Sequence, residues 1–170
     1  MSSQKFPNKR KKIKVEQLSN QIFPTKESLD SCKFNFHYLC KNGHKCADPT
    51  YWEANKLFSS HFDKLKDYSN YSLAQLMQRD IGKGSKILKY LQDKTKQPEH
   101  AELHMPINIP SMAKWAEIRF GGAQRLIGFI FPGELHGKKL PGIDSKFTID
   151  RNTFYVVFFD GDHKFWPITK

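Results

Sequence analysis

The periodicity of this chain predicts an α+β fold: a mostly antiparallel sheet of about four strands with two or three helices on one face. Three observations carry that prediction. Residues 32–40 alternate Phe34, Phe36 and Tyr38 with Lys33, Asn35 and His37, the period of two that belongs to a strand. Residues 51–68 set Trp52, Ala54, Leu57, Phe58, His61, Phe62 and Leu65 at steps of three and four, the spacing of a helix with one apolar stripe. Residues 115–120, 124–131 and 154–159 are then three apolar strands. The last is apolar on both faces, which predicts a central position in the sheet.

Residues 1–31 are expected to form a basic, flexible arm. Lys9, Arg10, Lys11 and Lys12 stand there among Ser, Gln, Asn and Pro, a composition that buries too little apolar area to offset the entropy of ordering. Such an arm clamps phosphates, serves as a nuclear address or is a solvated tail. Residues 32–170 are expected to be a single domain. Asn42-Gly43 marks the turn after the first strand, and Asp48-Pro49-Thr50 a helix start. Ser72 suits the N-cap of a second helix through residue 80, with Leu73, Leu76 and Met77 inward. Gly82 and Gly84 interrupt it, and residues 87–91 continue as a third short helix before a polar loop over 93–102. Residues 132–151, with Pro132, Gly133, Gly137, Pro141 and Gly142, form a long loop insert between the last two strands.

The Gly121-Gly122 turn decides the register of the hairpin. A two-residue loop there would place Ile118 beside Arg125. A three-residue loop, Gly121-Gly122-Ala123, opposes Ile118 with Leu126 and Arg119 with Arg125. Only the second keeps one face apolar (Ile118, Phe120, Leu126 and Ile130) and puts Glu117, Arg119 and Arg125 beside Ile127 and Phe129 on the other.

Lys and Arg number 28 against 17 Asp and Glu in 170 residues, a formal net charge of +11. That surplus favours a polyanionic partner, RNA or DNA first and an acidic protein next. No run of about 18 apolar residues exists, so no membrane-spanning helix is expected. The first residues lack the apolar stretch of a secretory signal, and three cysteines do not make a disulfide framework. A cytoplasmic protein with reduced thiols is the expectation.

Two arginines directly opposite each other repel. Either Glu117 or a neighbouring acid compensates them, or they share an anion, since guanidinium forks match phosphate oxygens two at a time. His163, Lys164 and Trp166 follow the last strand and suit proton transfer, phosphate contact and base stacking respectively. Each also has an ordinary structural role open to it: a surface histidine, a solvated lysine, a lid on the core. Cys32, His37, Cys40, His44 and Cys46 crowd together, but Cys40-x₃-His44-x-Cys46 is not the spacing of a closed zinc site, so no metal is expected and the cysteines read as small hydrophobes. Gly82-Lys83-Gly84-Ser85-Lys86 is superficially a phosphate loop, yet without a preceding strand it reads as a helix break.

The run Trp115-Ala116-Glu117-Ile118-Arg119-Phe120, then Gln124-Arg125-Leu126-Ile127-Gly128-Phe129, then Phe154-Tyr155-Val156-Val157-Phe158-Phe159 leading into His163-Lys164 resembles the RelE/ParE-type toxin superfamily of bacterial toxin–antitoxin modules. The likeness covers residues 32–168 in element order and the last 55 or so in wording. It implies a RelE-like fold and a small endoribonuclease, often acting on ribosome-associated mRNA and neutralised by a small acidic antitoxin. By position Arg125 matches the family's arginine after the hairpin, while His163, Lys164 and Trp166 lie near its terminal basic and aromatic residues. The chain is long for such a toxin, and its insert and basic arm have no counterpart in that pattern.

The implied chemistry needs no cofactor. A base takes the ribose 2′-OH proton, the oxygen attacks the adjacent phosphate, and an acid protonates the leaving 5′ oxygen. Arg119 and Arg125 stabilise charge, His163 moves the proton, Lys164 contacts phosphate and Trp166 stacks a base. Lys138 and Lys139 on the insert, with Lys9, Arg10, Lys11 and Lys12 on the arm, are further nucleic-acid contacts. The alternative is a non-catalytic module holding RNA, DNA or an acidic protein on the same sheet; an accessory interaction module of a mobile element is a third.

Overall fold

The chain divides into Met1–Asp30 and Ser31–Lys170. The structure is a computed structural model that describes residues 30–40, 48–91, 103, 106, 108–139 and 148–165. Along the chain run β1 (Lys33–Asn35), α1 (Pro49–Ala54), α2 (Leu57–Tyr68), α3 (Leu73–Gln78), β2 (Asp80–Gly82), β3 (Ser85–Lys86), β4 (Leu88–Tyr90), β5 (Lys114–Gly121), β6 (Gln124–Ile130), a 3₁₀ turn (Gly133–Leu135) and β7 (Thr153–Asp160). The main sheet has five strands in the order β1-β7-β6-β5-β4, and β2-β3 is a separate hairpin. The architecture is α+β, as periodicity predicts. The sheet is mixed, because β1 runs parallel to β7 while the other neighbours are antiparallel.

Several local expectations are corrected. The alternation over 32–40 yields only a three-residue strand, because the Asn35 side chain accepts the His37 N–H at 2.8 Å and turns the chain. Phe34 then packs on one side of the sheet, Tyr38 on the other, and Phe36 is left 44% exposed. The expected single helix over 51–68 is two. Asp48 caps α1 with Pro49 in its first turn, as the Asp-Pro-Thr signal predicts, but Lys56 takes the left-handed conformation (φ 56°) and breaks the helix. That break leaves Phe58 and Phe62 largely outside the buried stripe. The Ser72 cap is present with its full capping box, Gln75 reaching back to the Ser72 N–H. Residues 87–91, read as a helix, contain edge strand β4, where Leu88 pairs with Ile118 and Tyr90 with Ala116. A hydrophobic partner strand outweighs local propensity there.

The predicted pairing of Ile118 with Leu126 and Arg119 with Arg125 is present, although the turn that produces it is not the one expected. Gly121 pairs with Gln124 across the two-residue turn Gly122-Ala123, and Phe120 is an extra residue between Arg119 and Gly121. A bulge thus does the work of a third loop residue. The Arg119 carbonyl accepts from the Tyr68 hydroxyl at 3.2 Å, and the Phe120 carbonyl accepts from the Lys64 ammonium. Helix α2 therefore holds the bulge in place. His61 adds a third tie, its Nε2 lying 2.8 Å from Gln124 Oε1.

Both faces of the sheet are covered. On one, Trp52, Leu65, Tyr68, Leu73 and Leu76 from the helices bury against Ala116, Ile118, Phe120, Leu126, Phe154 and Phe159. On the other, Leu103, Phe131, Ile149 and Phe165 cover Ile127, Phe129, Val157 and Phe158. Strand β7 is interior, as its two-sided apolar pattern requires. The insert over 132–151 is not wholly structureless: it holds the 3₁₀ turn, a bridge between Lys139 and Thr148, and the buried Ile149. Residues 140–147 lie outside the described residues.

At Gly128 on β6 the neighbouring strand β7 leaves no room for a side chain. A Cβ there would stand 2.1 Å from the Tyr155 carbonyl oxygen and 2.6 Å from the Phe154 ring. Gly128→Ala is expected to lower stability by about 2–3 kcal/mol or more, measured as a shift of the denaturation midpoint. An unchanged midpoint would show that the two strands do not meet in this way.

Candidate functional site

The sheet brings four charged side chains into one neighbourhood. Arg119 on β5 faces Arg125 on β6, and Arg125 faces Asp160 on β7. Glu117 stands two residues before Arg119, hence on the same face. Asp160 joins this row because of a second irregularity. Ile127 pairs with Phe158 and Gly128 with Val156, so Val157 is an extra residue that shifts the alternation of everything after it. Without that bulge Asp160 would point toward the helices. The bulge also leaves the Val157 carbonyl to accept the Cys40 N–H at 2.8 Å, returning the chain after β1 to the sheet.

Glu117 is the compensating acid. Its Oε1 accepts from Arg119 Nε at 2.8 Å and lies 2.7 Å from a terminal nitrogen of Arg119, and its Oε2 is 3.7 Å from Arg125 Nε. Glu117 is 3% exposed and Arg125 8%. Arg125 also donates from one terminal nitrogen to the carbonyls of Gly122 (2.8 Å) and Gln124 (3.0 Å), fastening its own hairpin turn. Its Nε is buried and makes no hydrogen bond. Burial pushes its pKa down, Glu117 opposes that shift, and Arg119 adds to it. Arg119 is less enclosed, with a fifth of its side chain exposed.

Asp160 arranges the C-terminal turn. Its two carboxylate oxygens accept the backbone N–H of Lys164 (2.8 Å) and Phe165 (2.9 Å), a side-chain cap that ends β7 and folds the chain back. Phe165 is thereby buried against Trp115 and Phe158. Asp160 is 1% exposed, and burial raises its pKa against the pull of those two N–H bonds and of His163. His163 takes a left-handed backbone (φ 61°), and its Nδ1 is buried with no hydrogen-bond partner. The signal in the sequence for Asp160 is Asp-Gly-Asp straight after an uninterrupted apolar strand.

Arg119, Arg125, His163 and Lys164 therefore share one end of the sheet. Lys138 and Lys139 do not join them. They are exposed and lie past the far end of β6, roughly 17 Å of strand from Arg125 to Ile130. They neighbour instead the pair of Lys33 with Asp150 (2.5 Å) through the Lys138 carbonyl, which accepts from Ile149. Trp166, Lys9, Arg10, Lys11 and Lys12 lie outside the described residues. Cys32 is buried, and desolvation pushes its thiol up to about 12, which suits a small hydrophobe rather than a thiolate ligand. Among the described residues no group of three His, Cys, Asp or Glu comes together to hold a metal.

An open cleft of about 470 Å³ adjoins the arginines, lined by Ile81, Gly82, Lys83, Ser85, Arg119, Gly121, Gly122 and Arg125. One wall is the β5–β6 turn. The other is the β2–β3 hairpin, whose two-residue turn has both central residues at positive φ (Lys83 49°, Gly84 70°). The glycine-lysine run is thus a hairpin, not the helix break that the sequence suggests.

Two outcomes follow from the buried charges. Glu117→Ala is expected to destabilise the fold by about 3–5 kcal/mol, since Arg125 loses its buried countercharge, and adding Arg125→Met should recover most of that loss. Chemical denaturation of the single and double variants checks it. Because Asp160 binds its proton more readily when folded than unfolded, stability contributed by this group is present below the ordinary carboxylate pKa and is lost as pH rises through the raised one. Asp160→Asn should remove that component from the stability–pH profile.

No family model, no curated protein and no solved structure matches this chain.

Proposed function

We propose that this protein is an RNA-binding module of RelE-like fold that acts in the cytoplasm and holds the phosphate backbone at the arginine end of its sheet. The observation that carries this reading is the commitment of the arginines. Glu117 fixes both arginines in place, so Arg119 stands partly exposed as a preorganised cation with Arg125 buried behind it. Lys164 and His163 stand at the same end, on the turn that Asp160 holds. The net charge of +11 supports a polyanionic partner. No helix among the described residues is long and apolar enough to cross a membrane.

A second reading has one observation in its favour. His163 Nδ1 is buried without a partner, near a buried carboxylate of raised pKa, which is the environment of a proton-transfer group. That reading makes the protein a metal-independent endoribonuclease of a toxin–antitoxin or related mobile-element system, with a small acidic antitoxin as partner.

One experiment separates them. Single-stranded RNA and DNA of one sequence are mixed with the protein in chelator at several salt concentrations. Intact RNA, bound with a steep salt dependence, supports the binding module, and Lys164→Ala should lower the log–log salt slope by about 1. RNA cut while DNA survives, with cutting lost in His163→Ala and binding retained, favours the enzyme. Binding to neither nucleic acid at low salt would remove both readings.

A further inference from the structure

We infer that the cleft between the β2–β3 and β5–β6 turns is a phosphoryl-binding site, with Lys83 and Arg119 as its contacts and Arg125 as its buried support. The site deepens the proposed RNA-binding role, and its biological ligand rests on that role.

Four independent features converge there. Lys83, Arg119 and Arg125 line the cleft, and the carboxylates that face the arginines are Glu117 and Asp160. Three cations against two anions leave one positive charge for an incoming group. Arg125 is more than nine-tenths buried in its side chain, and its Nε, 3.7 Å from Glu117 Oε2, makes no hydrogen bond. A buried donor of this kind is costly unless something accepts from it. Both walls are glycine turns: Gly82, Gly121 and Gly122 have φ of 120°, 111° and 54°, and a Cβ built on any of them would meet nothing within 4 Å. No atom crowds that side of the backbone, so an anion can approach the glycine main chain closely. Ser85 adds a hydroxyl to the lining.

About 470 Å³ lies in the range of small-ligand sites and exceeds what one phosphate fills. The phosphoryl group comes either from the end of an oligoribonucleotide or from an internal phosphodiester.

The full chain is titrated with inorganic phosphate, and with oligoribonucleotides that carry either a 5′-phosphate or a 5′-hydroxyl, following the amide signals of Lys83, Gly121 and Gly122. Lys83→Asn removes the charge and keeps a side chain that tolerates the left-handed turn; Arg119→Lys keeps charge but loses the fork. Millimolar phosphate is expected to shift those amides, and each variant to weaken phosphate binding at least tenfold. A tenfold preference for the 5′-phosphate identifies the chain end as the source, and equal affinity identifies the internal diester. Amides that do not move, or Lys83→Asn with unchanged phosphate affinity, overturn the site. If RNA still binds in either case, the broader role survives it; if phosphate binds and RNA does not, the site stands and the RNA role falls.

Discussion

One buried carboxylate makes the rest of this sheet possible. Two arginines opposed across an antiparallel pair would push the strands apart, and Arg125 has almost no solvent to screen it. Glu117 sits between them, a residue of the same strand and face as Arg119, and takes one guanidinium on each oxygen. With that charge in place the hairpin can keep Ile118 against Leu126 on the helix side. The polar end and the apolar core therefore hold one register together.

Two bulges complete the arrangement. The extra residue Phe120 lets the two-residue turn Gly122-Ala123 close the hairpin without setting Phe120 beside Arg125 and Ile118 beside Ile127. Val157 rotates the end of β7 so that Asp160 faces Arg125 and its oxygens reach the N–H groups of Lys164 and Phe165. Each bulge costs a ladder contact and gains a charged group in a chosen direction. The charged end of the sheet is thus built from irregularities, while the regular middle of β5, β6 and β7 is built from packing.

The opposite wall of the cleft arises from a segment with almost no periodic signal. Asp80 to Lys86 contains too few apolar residues to be read as a strand pair, and it forms one because Ile87 continues into the sheet, bonded to Arg119 through its carbonyl and to Arg79 through its N–H. A turn with two positive φ values then fits Lys83-Gly84.

Alternation and helical spacing were legible where a residue's neighbours in sequence are also its neighbours in packing. The three C-terminal strands, the Ser72 N-cap and the opposition of Arg119 to Arg125 all belong to that class. What escaped were features set by groups far apart in the chain. The parallel β1–β7 pair joins residues more than a hundred positions apart, β4 is a strand only because Ile118 is waiting for Leu88, and the Val157 bulge reverses faces that period two would assign. Composition and local pattern by themselves determined an α+β protein with a cationic, aromatic-rich C-terminal sheet. The tertiary structure alone decided which charges are spent inside the fold and which remain at a cleft, because ion pairing and burial depend on distances that no spacing along the chain encodes.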